Sequence, residues 1–266
     1  MAGVTHPADN TTPTATTYRS ALQELPRSAR KLQLVWDRDR TAEASRSWAL
    51  SLPHGLNDGR VVNGPAEAHP PNSGFQKLFV VDPGEAHRHH LASVYGIRTA
   101  RDVLGTVAAR LDDAGDADYR RHRELLAGLC STPVDRRPAA HTVLGPLDPA
   151  DHHLVIPFLQ DAAVAALPET PPTDTTGWDV SVAVHLLWLA HGGGLVTVDQ
   201  CSGLLNRALE LTRSTYGSWE EFADGVVVGR AVADGRLDDS CMRFVQDIAV
   251  ALNHPDSPWV RLNLHG

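Results

Sequence analysis

Residues 177–239 read GWDVSVAVHLLWLAHGGGLVTVDQCSGLLNRALELTRSTYGSWEEFADGVVVGRAVADGRLDD, a stretch that predicts three consecutive helices. The run from Val180 to Ala190 is apolar at almost every position, whereas a surface helix carries its apolar residues along one stripe. Such a helix must be surrounded by other elements. The sequence therefore predicts an all-α protein, a multi-helix bundle around one central apolar helix with at most a minor short strand.

Start and stop signals stand at the boundaries of these three helices. Residues 192–194 are glycines and end the first helix, because glycine adopts the left-handed conformation that closes a helix without steric cost. Thr197 with Gln200, and Ser218 with Glu221, have the spacing of capping boxes that begin the second and third helices. The connecting turns are short, so we expect neighbouring helices to pack antiparallel.

Several segments occur in the order typical of a known bacterial family. In chain order these segments are Tyr95-Gly96-Ile97, Trp178-Asp179, Ser218-Trp219-Glu220-Glu221-Phe222 and Gly229-Arg230. Over about Glu85 to Asp239 the chain resembles the bacterial domain-of-unknown-function family number 1266. The resemblance implies an α-helical fold, and it implies no particular activity because none is established for that family.

The remainder of the chain predicts a single helical domain, residues 18–266, behind a disordered tail. Residues 1–17 are polar and rich in Thr, Pro and Ala, so they lack the apolar surface that offsets the entropy of ordering. A helix interrupted at Pro26 is expected over residues 21–36, and a long loop over residues 53–71. Two short apolar segments remain: residues 75–81 are interpreted as an extended segment over the helices or a lone strand, and residues 259–264 as an extended tail.

Composition narrows the classes of partner. The net charge of -8 over 266 residues leaves no basic surface expected to attract nucleic acid. The longest apolar run is far shorter than the roughly 20 residues needed to cross a bilayer, and no secretory signal is found. Cys130, Cys201 and Cys241 are isolated and are expected to be small buried residues in a reducing compartment. We therefore expect a cytoplasmic protein that binds neither nucleic acid nor membrane.

Histidine is the residue type that most needs weighing for metal chemistry. His87 and His90 share a helix face at a spacing of three, and His152 follows Asp151 near the start of another helix. No HExxH or comparable spacing links these residues to a known metal geometry. The sequence predicts no metal site and no cofactor, and these three histidines are the candidates if a metal is bound.

Four polar residues in the first and third helices are the candidates for catalysis: Asp179, His185, Glu221 and Arg230. The first reading is structural, with Asp179 and Glu221 as helix caps, His185 as a buried neutral imidazole and Arg230 as the partner of a buried carboxylate. If the four face one cleft, they form an acid–base site instead. Motifs for a nucleophile elbow, a Walker loop or a dinucleotide fingerprint do not occur in the sequence.

We predict from this a non-enzymatic binding or interaction module whose partner is another protein, in a bacterial regulatory, defence or toxin-neutralising assembly. The alternative is an enzyme with a polar site between the helices that begin near Trp178 and Ser218. The arrangement of the four candidate side chains distinguishes the two hypotheses. Convergence on an open pocket favours the enzyme, and pairing within the chain favours the binding module.

Overall fold

The computed structural model describes residues 17–23, 35–36, 41–57, 62–63 and 83–266. The helices of these residues are α1 (Tyr18–Gln23), α2 (Ala42–Ala49), α3 (Leu52–Asn57), α4 (Pro83–Tyr95), α5 (Ala100–Asp112), α6 (Ala117–Ser131), α7 (Ala140–Leu144), α8 (His152–Leu159), α9 (Ala163–Ala166), α10 (Thr176–Gly192), α11 (Val198–Thr215), α12 (Trp219–Asp234), α13 (Asp239–Asn253) and α14 (Pro258–Arg261). Two strands of two residues each, β1 (Val35–Trp36) and β2 (Val62–Asn63), pair in parallel. The prediction of an α-helical protein with little strand is confirmed.

Helix α10 is the centre of the bundle, as its composition predicts. Every residue from Val180 to Ala190 is buried. Helices α4, α5, α11 and α12 pack around it, and α2 and α3 contact it from the N-terminal part of the chain. The apolar run is therefore enclosed because neighbours cover all of its faces. Within the described ranges, none of the helices has both the length and the apolar character that crossing a membrane requires.

Capping explains where α11 and α12 begin. The Gln200 backbone N–H donates to the Thr197 hydroxyl, and the Thr197 N–H donates to the Gln200 side chain at 2.9 Å, which completes the predicted capping box. At α12, the Glu221 N–H donates to the Ser218 hydroxyl at 3.2 Å. The Glu221 carboxylate accepts from the Gly217 N–H at 2.7 Å, so Glu221 caps the helix start as predicted, but its partner is the residue before Ser218 and the second capping box is not completed.

Glycines let α10 and α12 approach closely where they cross. A Cβ atom at Gly229 would lie 2.5 Å from the Cβ of Trp178 and 2.9 Å from the carbonyl oxygen of Thr175. A Cβ atom at Gly177 would lie 2.9 Å from the backbone nitrogen of Val226. Real Cβ atoms do not pack at these distances, so larger residues would force the two helices apart.

The N-terminal part of the chain differs from its sequence-based prediction. The helix expected over residues 21–36 begins earlier, since α1 spans Tyr18–Gln23, and residues 24–34 lie outside the described residues. Residues 35–36 form β1, because this β-branched and aromatic pair finds a partner strand in residues 62–63. The prediction of a loop over residues 53–71 is also wrong at its start, because α3 spans Leu52–Asn57. The predicted disordered tail, apart from Thr17, and the predicted extended segment at residues 75–81 lie outside the described residues.

The C-terminal segment is helical where an extended tail was expected. The Ser257 hydroxyl accepts from the Trp259 N–H at 3.2 Å, and Pro258 occupies the first position of α14. Serine followed by proline is a helix-start signal because proline needs no donor at that position. Trp259 is buried and stacks on Trp219 with 5.1 Å between ring centroids. Burial of this ring accounts for the short helix.

Candidate functional site

One face of α10 carries polar groups in an otherwise apolar helix. Trp178, Ser181 and His185 are spaced three and four residues apart, so they lie on the same face. His54 of α3 lies against this face, and Phe244 of α13 and Arg230 of α12 complete the surroundings. We call these six residues the His54 cluster.

Ring contacts hold the imidazole of His54 on three sides. It lies 4.9 Å from the His185 ring at an interplanar angle of 20°, which is a stacked arrangement. The ring centroids of Trp178 and Phe244 lie 5.3 Å and 5.4 Å away and are tilted relative to it. His54 Nε2 lies 3.0 Å from the Ser181 hydroxyl. Stacking and one hydrogen bond therefore determine the position of this ring.

Arg230 borders the cluster as a cation. Its guanidinium carbon lies 4.5 Å above the Phe244 ring and 6.0 Å from the Trp178 ring. It also donates a hydrogen bond to Ser240 and lies 3.6 Å from the carboxylate of Asp234, one helical turn away. Arg230 thus pairs with a carboxylate within the chain, as predicted, but the Asp234 side chain is 43% exposed, so the predicted burial of this partner is wrong. Cation–π contacts with the Phe244 and Trp178 rings therefore help to hold this guanidinium in place.

Burial and charge keep the His54 imidazole neutral. Burial is the main cause that lowers its pKa well below the ordinary value, and electrostatic interaction with His185, Arg230 and Arg110 lowers it further. Ser181 has one hydroxyl proton, and its oxygen lies 2.9 Å from the Trp178 carbonyl, which can only accept. The His54 ring N–H then donates to the hydroxyl oxygen. Ser181 is fully buried and is not activated as a nucleophile by this arrangement.

Asp179 connects α10 to the turn between α5 and α6. Its carboxylate accepts from Arg110 at 2.9 Å and from the backbone N–H of Gly115 at 3.1 Å. Gly115 has a φ of +87°, and a Cβ atom there would lie 2.5 Å from the Asp174 carboxylate, so only glycine fits. Burial is the first cause that raises the pKa of Asp179. This role differs from the predicted cap, since the carboxylate binds a neighbouring turn and not its own helix.

The structure thus separates the four predicted catalytic candidates. His185 and Arg230 belong to the His54 cluster. Asp179 pairs with Arg110 at the N-terminus of α10, and Glu221 caps the N-terminus of α12. Each of the four is accounted for by contacts within the chain.

The three metal-ligand candidates lie in separate surroundings. His87 packs on the Trp188 ring (5.0 Å between centroids), His90 contacts the Tyr95 ring (5.8 Å), and His152 lies 3.1 Å from the Leu144 carbonyl. In the part of the chain that the structure describes, His, Cys, Asp and Glu side chains form no group of three that could hold a metal ion. Asp151, next to His152, is instead hydrogen-bonded to His122 at 2.8 Å, which lowers the pKa of the carboxyl group.

The surroundings of the three thiols disfavour nucleophilic chemistry. Burial raises the pKa of Cys130 and of Cys201 to about 11. The pKa of Cys241 is also raised, again mainly by burial. A thiol with a raised pKa is protonated at neutral pH and is a poor nucleophile. These side chains fill space in the core, as the sequence predicts, although Cys130 is only partly buried.

Sequence reasoning missed His54 because its segment was interpreted as a loop. It is separated from Ser181 by 127 positions, and no local pattern predicts that contact. A signal was nevertheless present in α10. Ser181 and His185 are polar residues one turn apart on the same face of an apolar helix, and buried polar groups require polar neighbours.

In a comparison with family models, residues 90–264 match the family described as "Protein of unknown function (DUF1266)". No curated protein and no solved structure is significantly similar to the chain. The matched range contains every member of the His54 cluster except His54 itself.

Proposed function

The chain belongs to the DUF1266 family of proteins of unknown function, and from that premise we propose that it is a non-enzymatic cytoplasmic module that binds another protein. The observation that carries this proposal is the pairing of the four candidate catalytic residues within the chain. The carboxylates of Asp179 and Glu221 accept hydrogen bonds from backbone N–H groups. The side chains of His185 and Arg230 pack against aromatic rings. Residues committed to such contacts are poorly placed to act together as acid and base. The free thiols agree with a reducing compartment.

The basic residues at the start of α6 also support a protein partner over nucleic acid. Arg120 lies 2.5 Å from the Asp174 carboxylate, and Arg121 forms an ion pair with Asp118. Arg123 donates to the carbonyl oxygens of residues 171 and 172. A nucleic-acid interface needs basic side chains that are available to phosphates. Here neighbouring acids and carbonyl groups already engage them.

We place the protein-binding surface at the C-terminal end of α4. Val94 and Tyr95 are adjacent, large and apolar, and their exposed fractions are 58% and 38%. Tyrosine is enriched at protein interfaces because it combines a large apolar ring with a polar tip. Tyr95 also opens the Tyr95-Gly96-Ile97 segment that carries the family resemblance. We call Val94 and Tyr95 the α4 surface.

Site-specific photo-crosslinking in the native cells tests this proposal. The full chain carries a photoreactive amino acid at Val94 in one sample and, as a matched control, at Val260, a valine that is 48% exposed on α14. We expect a crosslinked protein adduct from position 94 and none from position 260. The adduct identifies the partner, which is then purified for a binding measurement with the wild-type chain.

The binding measurement decides the proposal. Val94→Asp places a charge in the interface, and we expect it to weaken the Kd for the purified partner at least about tenfold. Val260→Asp is the control and should leave the Kd unchanged. Equal crosslinking from both positions, or an unchanged Kd for Val94→Asp, would exclude the α4 surface as the binding site.

A further inference from the structure

The His54 cluster has the form of a small binding site that is already filled. Ser181, His185 and Phe244 are buried and form its floor. Trp178 and Arg230 are only partly buried and form a rim that reaches solvent. The side chain of His54 lies between floor and rim and is itself partly exposed. Removal of this one side chain would therefore open a cavity connected to the surface.

His54, the occupant of this site, comes from a different part of the chain than the five residues that form its walls. All five wall residues lie within residues 90–264, the range that matches the family model, whereas His54 lies outside it. The part of the chain that matches the family model thus supplies the walls, and a segment N-terminal to it supplies the ring between them. We propose that the cavity is a ligand-binding site for a neutral heteroaromatic ring, and that His54 occupies it as an internal competitor. This site is separate from the α4 surface and does not depend on it.

The walls determine the chemistry of the ligand. The stacked His185 ring, with the tilted Trp178 and Phe244 rings, leaves a flat space suited to an aromatic ring. The Ser181 hydroxyl, 3.0 Å from His54 Nε2, selects a ring with a polar edge. The guanidinium of Arg230 on the rim disfavours a second cation. A neutral ring that contains nitrogen meets all three conditions.

The element that supplies His54 is suited to exchange. Helix α3 has six residues and includes Pro53 and Gly55. So short a helix has little stability of its own, because nucleation is costly and glycine is unfavourable within a helix. Contacts with α13 and α10 hold it in place. An external ring that binds the same walls competes directly with these contacts.

Chemical complementation of the full chain tests the site, with free imidazole as the probe. His54→Ala opens the cavity, and His89→Ala is the matched control, since His89 is an exposed histidine on α4. For a Kd of about 1 mM, about 50 mM imidazole should raise the Tm of His54→Ala by about 5 °C, because only the folded state binds the ligand. The Tm values of wild type and His89→Ala should not change.

Further measurements keep the test decisive. At about pH 5, where imidazole is protonated, the shift for His54→Ala should disappear because a cation meets Arg230. If His54→Ala does not fold alone, its refolding from urea is compared with and without imidazole, and recovery of the native circular dichroism spectrum is expected only with imidazole. No Tm shift and no recovery for His54→Ala, or equal shifts in all three proteins, would overturn the proposal.

Discussion

The phenolic hydroxyl of Tyr18 donates a 2.9 Å hydrogen bond to the carboxylate of Asp224, a residue 206 positions away in the sequence. Arg19 adds an ion pair of 2.5 Å to the same carboxylate. Burial raises the pKa of Tyr18 and also that of Asp224. Helix α1 is thus attached to α12 through a buried polar contact.

Asp224→Ala should lower the free energy of unfolding by about 1–3 kcal/mol, because it leaves the buried Tyr18 hydroxyl without its acceptor. Urea unfolding measures this loss. Glu220→Ala is the matched control, since Glu220 is an exposed acid on the same helix and should cost much less. If both variants lose the same stability, the contact between α1 and α12 does not contribute.

Stability should depend on pH through His54. An unfolded histidine has a pKa of about 6.5, and the pKa of His54 in the fold is well below its ordinary value. As pH falls below the pKa of the unfolded state, the unfolded state binds more protons than the folded state. The stability that the neutral His54 contributes is therefore fully present above that pKa and is lost as pH falls below it. When the pH is lowered from about 7 to about 5.5, the free energy of unfolding of the wild type should fall by about 1 kcal/mol more than that of His54→Phe.

The variant is needed because Asp179 and Asp224 act in the opposite sense. Burial raises the pKa of both carboxyl groups, so the folded state takes up their protons first and gains stability as pH falls. Both groups are present in wild type and in His54→Phe, so their effects cancel in the difference. Urea unfolding at the two pH values gives that difference, and identical pH dependence of the two proteins would contradict a neutral His54 in the fold.

Gly229→Ala should destabilise the protein by about 1–3 kcal/mol, since the added methyl group meets Trp178 and the Thr175 carbonyl where α10 and α12 cross. Gly203→Ala is the matched control. Gly203 also lies within a helix, α11, but a Cβ atom there meets nothing within 4 Å. We expect it to stabilise the protein by about 0.5–1 kcal/mol through helix propensity. Thermal unfolding of both variants gives the two signs, and stabilisation by both would contradict the close crossing.

Asp179 and Arg110 should show a coupling energy of about 0.5–1 kcal/mol in a double-mutant cycle, because the pair is partly shielded from water. The Arg121–Asp118 pair on α6 serves as control, with side chains exposed by 62% and 46%. Its coupling should be near zero, since exposed pairs contribute little. Equal coupling in the two cycles would mean that the Asp179–Arg110 pair contributes no more than an exposed ion pair.

The candidate site was only partly predictable. His185 and Arg230 were identified from the sequence because both are polar residues in apolar helices. Their relation to His54 was not predictable, since it joins a short N-terminal helix to α10 across more than a hundred positions. Asp179 illustrates the opposite case. Its place in the first turn of α10 predicts a cap, yet a neighbouring turn with a left-handed glycine offers its carboxylate a better donor.

The sequence by itself determined the helices and their order from α10 to α12, because apolar density, capping residues and glycines act within a few residues of one another. It also determined that α10 is enclosed, since a helix that is apolar all round has no stable face toward water. Only the tertiary structure decided which side chains meet on the polar face of α10 and which carboxylates are paired. Those contacts depend on how distant segments pack, and a local pattern in the chain carries no information about that geometry.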